Sequence, residues 1–255
     1  MFSIERRSNL RFRAPEFVCD RPIHRQVEPP LPNCPFFMAI VGSAGSGKTS
    51  LMVNMLTSKQ AYKKAFDYVH VVMPAHSVAS LKKNIFEMHP RMHDELTLGV
   101  LHGILERVKQ SAEHKESSLL ILDDVTASLK DKQVQQLLKQ VIFNRRHYRL
   151  SIVMLLQSYN ACPLPVRKTL SHCALFKPRN KKEYAAVFEE LLFMDKDAAD
   201  ALHNFVYDEP YSFLFVDVNT NSLFKKFDTI VVHGGHASQP EGQVKGEAQG
   251  KGHHH

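Results

Sequence analysis

The residues best placed to do chemistry are Gly42, Ser43, Ala44, Gly45, Ser46, Gly47, Lys48 and Thr49, which fit the spacing G-x-x-x-x-G-K-[ST]. An apolar run at residues 36–41 precedes them, and Ser50 opens a helix-forming run that continues through Leu56. Strand, glycine-rich turn and helix in that order form a phosphate cradle. Glycines let backbone N–H groups converge on phosphate oxygens, and the helix directs its positive end at the same anion. Lys48 is expected to reach the β- and γ-phosphates, and Thr49 to put its hydroxyl on Mg²⁺. ATP with Mg²⁺ is the expected ligand, held by residues 42–50.

Asp123 and Asp124 close the apolar run Leu119, Leu120, Ile121, Leu122, at the end of a strand, where α/β proteins place their ligands. One carboxylate beside the cradle can orient Mg²⁺, and a second can polarise the attacking water. Adjacent side chains at a strand end point different ways and can divide these tasks. Gln157 ends the run 152–156, and an amide there can bond both the attacking water and a phosphate oxygen. Taken alone, an Asp pair could cap a helix and a strand-end amide is ordinary. Their order behind the cradle favours catalysis.

Arg145, Arg146 and Arg149 precede the Gln157 strand, and Arg167 and Lys168 follow it. These cations suit a guanidinium offered to a neighbour's nucleotide, contacts to nucleic-acid phosphates, or a solvated surface. Lys177, Arg179, Lys181 and Lys182 gather at a helix start, where cations oppose the helix dipole. A phosphate-facing loop or plain solubility explains them better than helix stability does.

The elements that must position these groups alternate. Strands are expected near residues 36–41, 68–73, 119–122, 152–156, 172–176, 213–216 and 223–232. Helices are expected after the cradle, on both sides of a loop at 89–97, at 134–142, at 180–192 and near 195–206. Asn180 and Glu183 have the spacing of a capping box. This pattern predicts an α/β protein with a mostly parallel sheet flanked by helices.

Composition agrees with one core, expected at 34–233. Of 255 residues, 44% are hydrophobic, and the net charge of +7 favours polyanionic partners such as nucleic acid. Residues 1–33 are rich in Arg and Pro and read as an arm on a neighbouring subunit, on a phosphate backbone, or in solvent. Residues 234–255 read as a flexible polar tail ending in a tag remnant. Four cysteines without C-x-x-C spacing suggest neither zinc nor a disulfide framework. No apolar run approaches the ~18–20 residues needed to cross a bilayer. A soluble protein of a reducing compartment is the expectation.

The order G-S-A-G-S-G-K-T, L-L-I-L-D-D, R-R-H-Y-R-L-S-I-V-M-L-L-Q-S, P-L-P-V-R-K-T-L-S-H-C-A-L-F-K and Y-S-F-L-F-V-D resembles the poxvirus-type genome-packaging ATPases of large double-stranded DNA viruses, within the FtsK–HerA group. The likeness covers about residues 34–233. It implies a RecA-like P-loop fold with the Gln157 strand inserted between the phosphate-loop strand and the Asp123–Asp124 strand. It also implies Asp123 on the metal, Asp124 as base, and Arg146 as the finger reaching a neighbour's nucleotide, with Arg167 second. Asp124 is one methylene shorter than the Glu that many of the wider group carry. The implied assembly is a homo-oligomeric ring of five or six subunits that drives double-stranded DNA into a capsid, with capsid or portal-vertex proteins as partners, in the virion or at the viral assembly site in the host cytoplasm. A P-loop kinase of a small molecule and a non-hydrolysing, nucleotide-gated scaffold are the alternatives.

Overall fold

The computed structural model describes residues 22–79, 85–86 and 91–231. Its centre is β1 (Phe37–Val41), whose five residues are all buried. Such a run has no polar face, as a strand covered by helices on both sides requires. β4 (Ser118–Asp123), β5 (Leu150–Leu156) and β6 (His172–Phe176) are buried along their whole length too.

With β2 (Tyr68–Val72), β3 (Met92–His93), β7 (Phe213–Asp217), β8 (Ser222–Lys225) and β9 (Asp228–Thr229) they make a nine-stranded sheet in the order β3-β2-β4-β5-β1-β6-β7-β8-β9. The six strands from β3 to β6 are parallel, and β7, β8 and β9 turn antiparallel. The chain therefore has the expected α/β, mostly parallel architecture of a RecA-like P-loop fold, with β5 inserted between the strands of the phosphate loop and the paired acids.

Alternate residues of β1 serve two cores. Phe37, Ala39 and Val41 face α3 (Leu98–Glu113) and α4 (Lys132–Phe143), where Leu101, Leu105, Leu137 and Val141 are buried. Met38 and Ile40 face α1 (Lys48–Thr57), which contributes Leu51, Met52 and Met55. The short helices α2 (Ala75–Ala79), α5 (Leu164–Arg167) and α6 (Lys181–Ala186) punctuate the connections, and α7 (Lys196–Val206) precedes the antiparallel edge. Beyond α6 the helix widens to a π turn over Val187–Leu192 and stops at Phe193, φ 52.

Three sequence expectations change. The loop expected at 89–97 contains β3, whose two residues are too few for periodicity to show. The strand expected at 223–232 is broken into β8 and β9 by a turn at Lys226, φ 57. Within the stretch read as an arm, residues 22–33 lie on the globule. Val27 is buried in the α1-side core with Ile23 and Leu31 against it, and Tyr62 donates its hydroxyl to the Pro32 carbonyl at 2.8 Å. Residues 1–21 and the tail from Gly234 fall outside the described residues. Among the described residues, no helix is long and apolar enough to cross a membrane.

Candidate functional site

β1 delivers the glycine-rich loop to the carboxyl edge of the sheet, between β5 and β6. The Gly42 N–H donates to the Leu156 carbonyl at 3.0 Å, which carries the β1–β5 ladder one step past Val41. A side-chain carbon on Gly42 would lie 2.5 Å from Ser46 Oγ and 2.8 Å from Phe176 Cβ, so glycine alone lets the loop fold this tightly over β6. Gly47, at φ +107, occupies the cap position of α1, and no side chain caps the helix. The first N–H groups of α1 are therefore not consumed by a local acceptor. Lys48 Nζ donates to the carbonyls of Gly42 and, at 3.0 Å, of Ser43, which holds the ammonium inside the curl of the loop. Ser46 Oγ is buried with no hydrogen-bond partner among the described residues. Exposed amides, an inward ammonium and an orphaned hydroxyl are the donor set a polyphosphate needs.

Three adjacent parallel strands end side by side, and the first residue after each is a candidate. Gly42 follows β1, Gln157 follows β5 and Asp124 follows β4. Asp123 is 9% exposed at the tip of β4, whereas Asp124 and Gln157 are exposed. Asp124 has φ 52, which swings it away from the line of β4, and His76 Nε2 lies 4.0 Å from its carboxylate. The sheet thus brings Lys48, Asp123, Asp124 and Gln157 to one edge.

Electrostatics tie these groups together. Burial raises the Asp123 carboxyl above its ordinary range, Lys48 opposes that rise and Asp124 adds to it. Burial lowers the Lys48 ammonium, Asp123 resists, and Arg179 lowers it further. A buried carboxylate whose ionised form is disfavoured suits a divalent cation, which compensates the charge. Mg²⁺ asks for one or two carboxylates and otherwise takes waters and substrate phosphates, and Thr49 and Asp123 are the residues that could hold it.

Arg145, Arg146 and Arg149 occupy the opposite edge. They precede β5, whose seven residues separate them from Gln157 by about 23 Å. Arg146 is exposed there. Arg167 is committed within the chain. Its guanidinium makes a bidentate pair with Glu190 at 2.7 and 2.8 Å, donates to the Cys162 carbonyl at 3.2 Å and lies over the Tyr159 ring.

Two contributors escaped the sequence reading. Glu183 has the capping-box spacing, and Asn180 does accept from the Glu183 N–H at 2.9 Å. The Glu183 carboxylate, however, does not reach back to Asn180. It is buried and accepts from Tyr159 N at 2.8 Å, fastening the turn after Gln157. Tyr211, in the loop before β7, is 71% exposed and faces a cleft of about 590 Å³ floored by Lys48, Thr49 and Ser50 and walled by Phe176 and Phe213. A lone loop tyrosine carries no periodic signal.

The family described as the poxvirus A32 protein matches residues 26–195. Curated relatives include the DNA packaging protein OPG160 of Variola virus, 30% identical over 156 residues, covering 56% of this chain and 53% of that protein. The uncharacterized protein L437 of Acanthamoeba polyphaga mimivirus is 25% identical over 182 residues, covering 62% and 61%. The chain spans about half the length of the OPG160 relatives it matches. Among solved structures, the genome packaging NTPase B204 of Sulfolobus turreted icosahedral virus 2, in complex with ATP-gammaS, superposes with a TM-score of 0.57 at 16% identity, covering 77% of this chain and 98% of that one. ATPases 2 and 3 of EssC from Geobacillus thermodenitrificans give 0.52 at 14% identity over 76% and 39%. At such identities the likeness is one of fold.

Proposed function

The chain belongs to the poxvirus A32 protein family, and from that premise we propose that it is an ATP-hydrolysing motor that moves double-stranded viral DNA into a capsid. The observation that carries this reading is the placement of Gly42, Gln157 and Asp124 as the first residues beyond three adjacent parallel strands. A polyphosphate on the loop would have its terminal phosphate beside an amide and a carboxylate. B204 and OPG160 bear names of packaging proteins, which supports the same assignment here.

In this scheme the loop amides and Lys48 bind the β- and γ-phosphates, Thr49 and Asp123 hold the metal, Gln157 orients the attacking water, and Asp124 takes its proton. Mg²⁺, when bound there, would neutralise charge building on the phosphates. Arg146 stands at the sheet edge opposite its own Lys48, so its guanidinium serves a neighbour's nucleotide. A contact of that kind is head-to-tail, and head-to-tail contacts close into rings, here of five or six subunits. Such a ring grips duplex DNA by its phosphates without regard to sequence. The globule, in which residues 22–33 pack against the core, forms the ATPase unit, working in the virion or at the viral assembly site with capsid or portal-vertex proteins.

The test is magnesium-dependent ATP hydrolysis by the purified protein with and without linear duplex DNA. Turnover stimulated by DNA and abolished by Lys48→Ala is expected. No turnover by the wild-type protein in the presence of DNA would overturn the motor reading.

A further inference from the structure

The phosphate loop has two sides. Asp123, Asp124 and Gln157 lie toward β5 and β4, and the cleft of about 590 Å³ lies on the other side, toward β6 and β7. A nucleoside triphosphate whose last phosphate meets the acids must extend its other end into that cleft. Leu51 and Asn54 of α1 line it, and the Asn54 amide offers both a donor and an acceptor edge.

Tyr211 is the unusual feature of this cleft. It sits third in the turn Glu209-Pro210-Tyr211-Ser212, closed by a 3.4 Å bond from Ser212 N to the Glu209 carbonyl. Its φ of 61 suits Gly or Asn, not a large ring. The surroundings nevertheless pin it there. The Tyr207 hydroxyl donates to the Leu175 carbonyl at 2.9 Å, and two ion pairs, Asp208–Lys225 at 2.6 Å and Glu209–Lys226 at 2.8 Å, tie the loop to the strand edge. The ring abuts the loop's last glycine, where a side-chain carbon on Gly47 would stand 3.6 Å from Tyr211 Cδ1. A strained backbone that holds an exposed aromatic ring in place is a device for something that docks on the ring.

We propose that Tyr211 is the stacking platform for the nucleobase of the bound triphosphate, with Asn54 hydrogen-bonding the base edge. This inference rests on reading residues 42–49 as a triphosphate site, and the following experiment separates the two. Binding of ATP and of inorganic tripolyphosphate is measured on the full chain and on Tyr211→Ala, Tyr211→Phe and Lys48→Ala. Stacking is worth roughly 5- to 150-fold in affinity. Tyr211→Ala is expected to lose that much for ATP and nothing for tripolyphosphate, and Tyr211→Phe to stay near wild type. Because the chain has no tryptophan, Tyr211→Trp gives a single reporter whose emission ATP quenches and tripolyphosphate does not. Unchanged ATP affinity in Tyr211→Ala overturns the stacking role, and so does equal loss of both ligands, which marks a purely structural residue. Failure of the wild-type protein to bind either ligand overturns the triphosphate site along with it, and Lys48→Ala should lose tripolyphosphate if that site is real.

Discussion

The backbone N–H of Tyr159 donates a 2.8 Å hydrogen bond to the carboxylate of Glu183, twenty-four residues later in the chain. The other oxygen of the same carboxylate accepts from Arg179 N at 3.4 Å. One buried acid thus clamps the turn after Gln157 to the backbone of Arg179, whose charge acts on Lys48. Glu183→Ala leaves two amides without their acceptor and should cost about 3 kcal/mol, read as a lowered urea midpoint. Glu183→Gln, which keeps one acceptor oxygen, should cost less and lower kcat for ATP more than it raises KM. An unchanged midpoint in the Ala variant would show that the clamp contributes nothing.

Two glycines of the loop should respond differently to alanine. At Gly42 the added carbon meets Ser46 Oγ at 2.5 Å and the buried Phe176 at 2.8 Å, whereas at Gly45 nothing lies within 4 Å and only φ +76 is strained. Gly42→Ala should cost about 1–3 kcal/mol through overpacking and lose nucleotide affinity. Gly45→Ala should cost about 1 kcal/mol and retain most binding. Calorimetric Tm and an ATP titration check both. Equal effects would show that the approach to β6 is not what selects glycine at position 42.

Acid should weaken the fold through His70. The ring is fully buried in β2, neither nitrogen has a partner among the described residues, and burial, aided by Arg91 and Arg107, lowers its pKa from 6.5 to about 4. The unfolded chain therefore binds the extra proton first, so stability is retained above 6.5 and lost as pH falls toward 4. The interval between those values, at about 1.4 kcal/mol per pH unit, sets an upper limit of about 3 kcal/mol. His172, also brought to about 4 by burial, adds to the same slope. His70→Leu should flatten the unfolding free energy between pH 6.5 and 4; a slope identical to wild type would exclude His70 as its source.

Mixing subunits tests which arginine serves a neighbour. Arg146→Ala and Lys48→Ala proteins, each inactive, should regain part of the ATPase rate when combined, because each supplies what the other lacks. Arg167→Ala should instead lower Tm, since it breaks the bidentate Glu190 pair and the contact with Tyr159. No rescue in the first mixture, with rescue by Arg167→Ala, would exchange the two assignments.

The edge that carries the candidate site was legible because Asp123, Asp124 and Gln157 close apolar runs long enough to announce buried strands, and because Lys48 follows the last glycine of a spaced glycine motif. The position of β5 between β4 and β1 came from family resemblance, since nothing in a strand's own residues names its neighbours. Glu183 was visible only as a local cap, because its partner Tyr159 is distant in sequence. Ile23, Val27 and Leu31 are spaced four apart, a weak trace of the packing that the surrounding prolines and arginines obscured. β9 and β3 are two residues each, below what any period can reveal.

The placement of β1 has a consequence for biosynthesis. Both strands that pair with it, β5 and β6, begin more than a hundred residues downstream, at Leu150 and His172. A ribosome that has just finished α4 has therefore made a wholly apolar strand, Phe37–Val41, with two bare edges. Until β5 and β6 emerge, that nascent segment is a template for mispairing with other chains, so the protein needs shelter early in translation, when the strand destined for the middle of its sheet still has no neighbours.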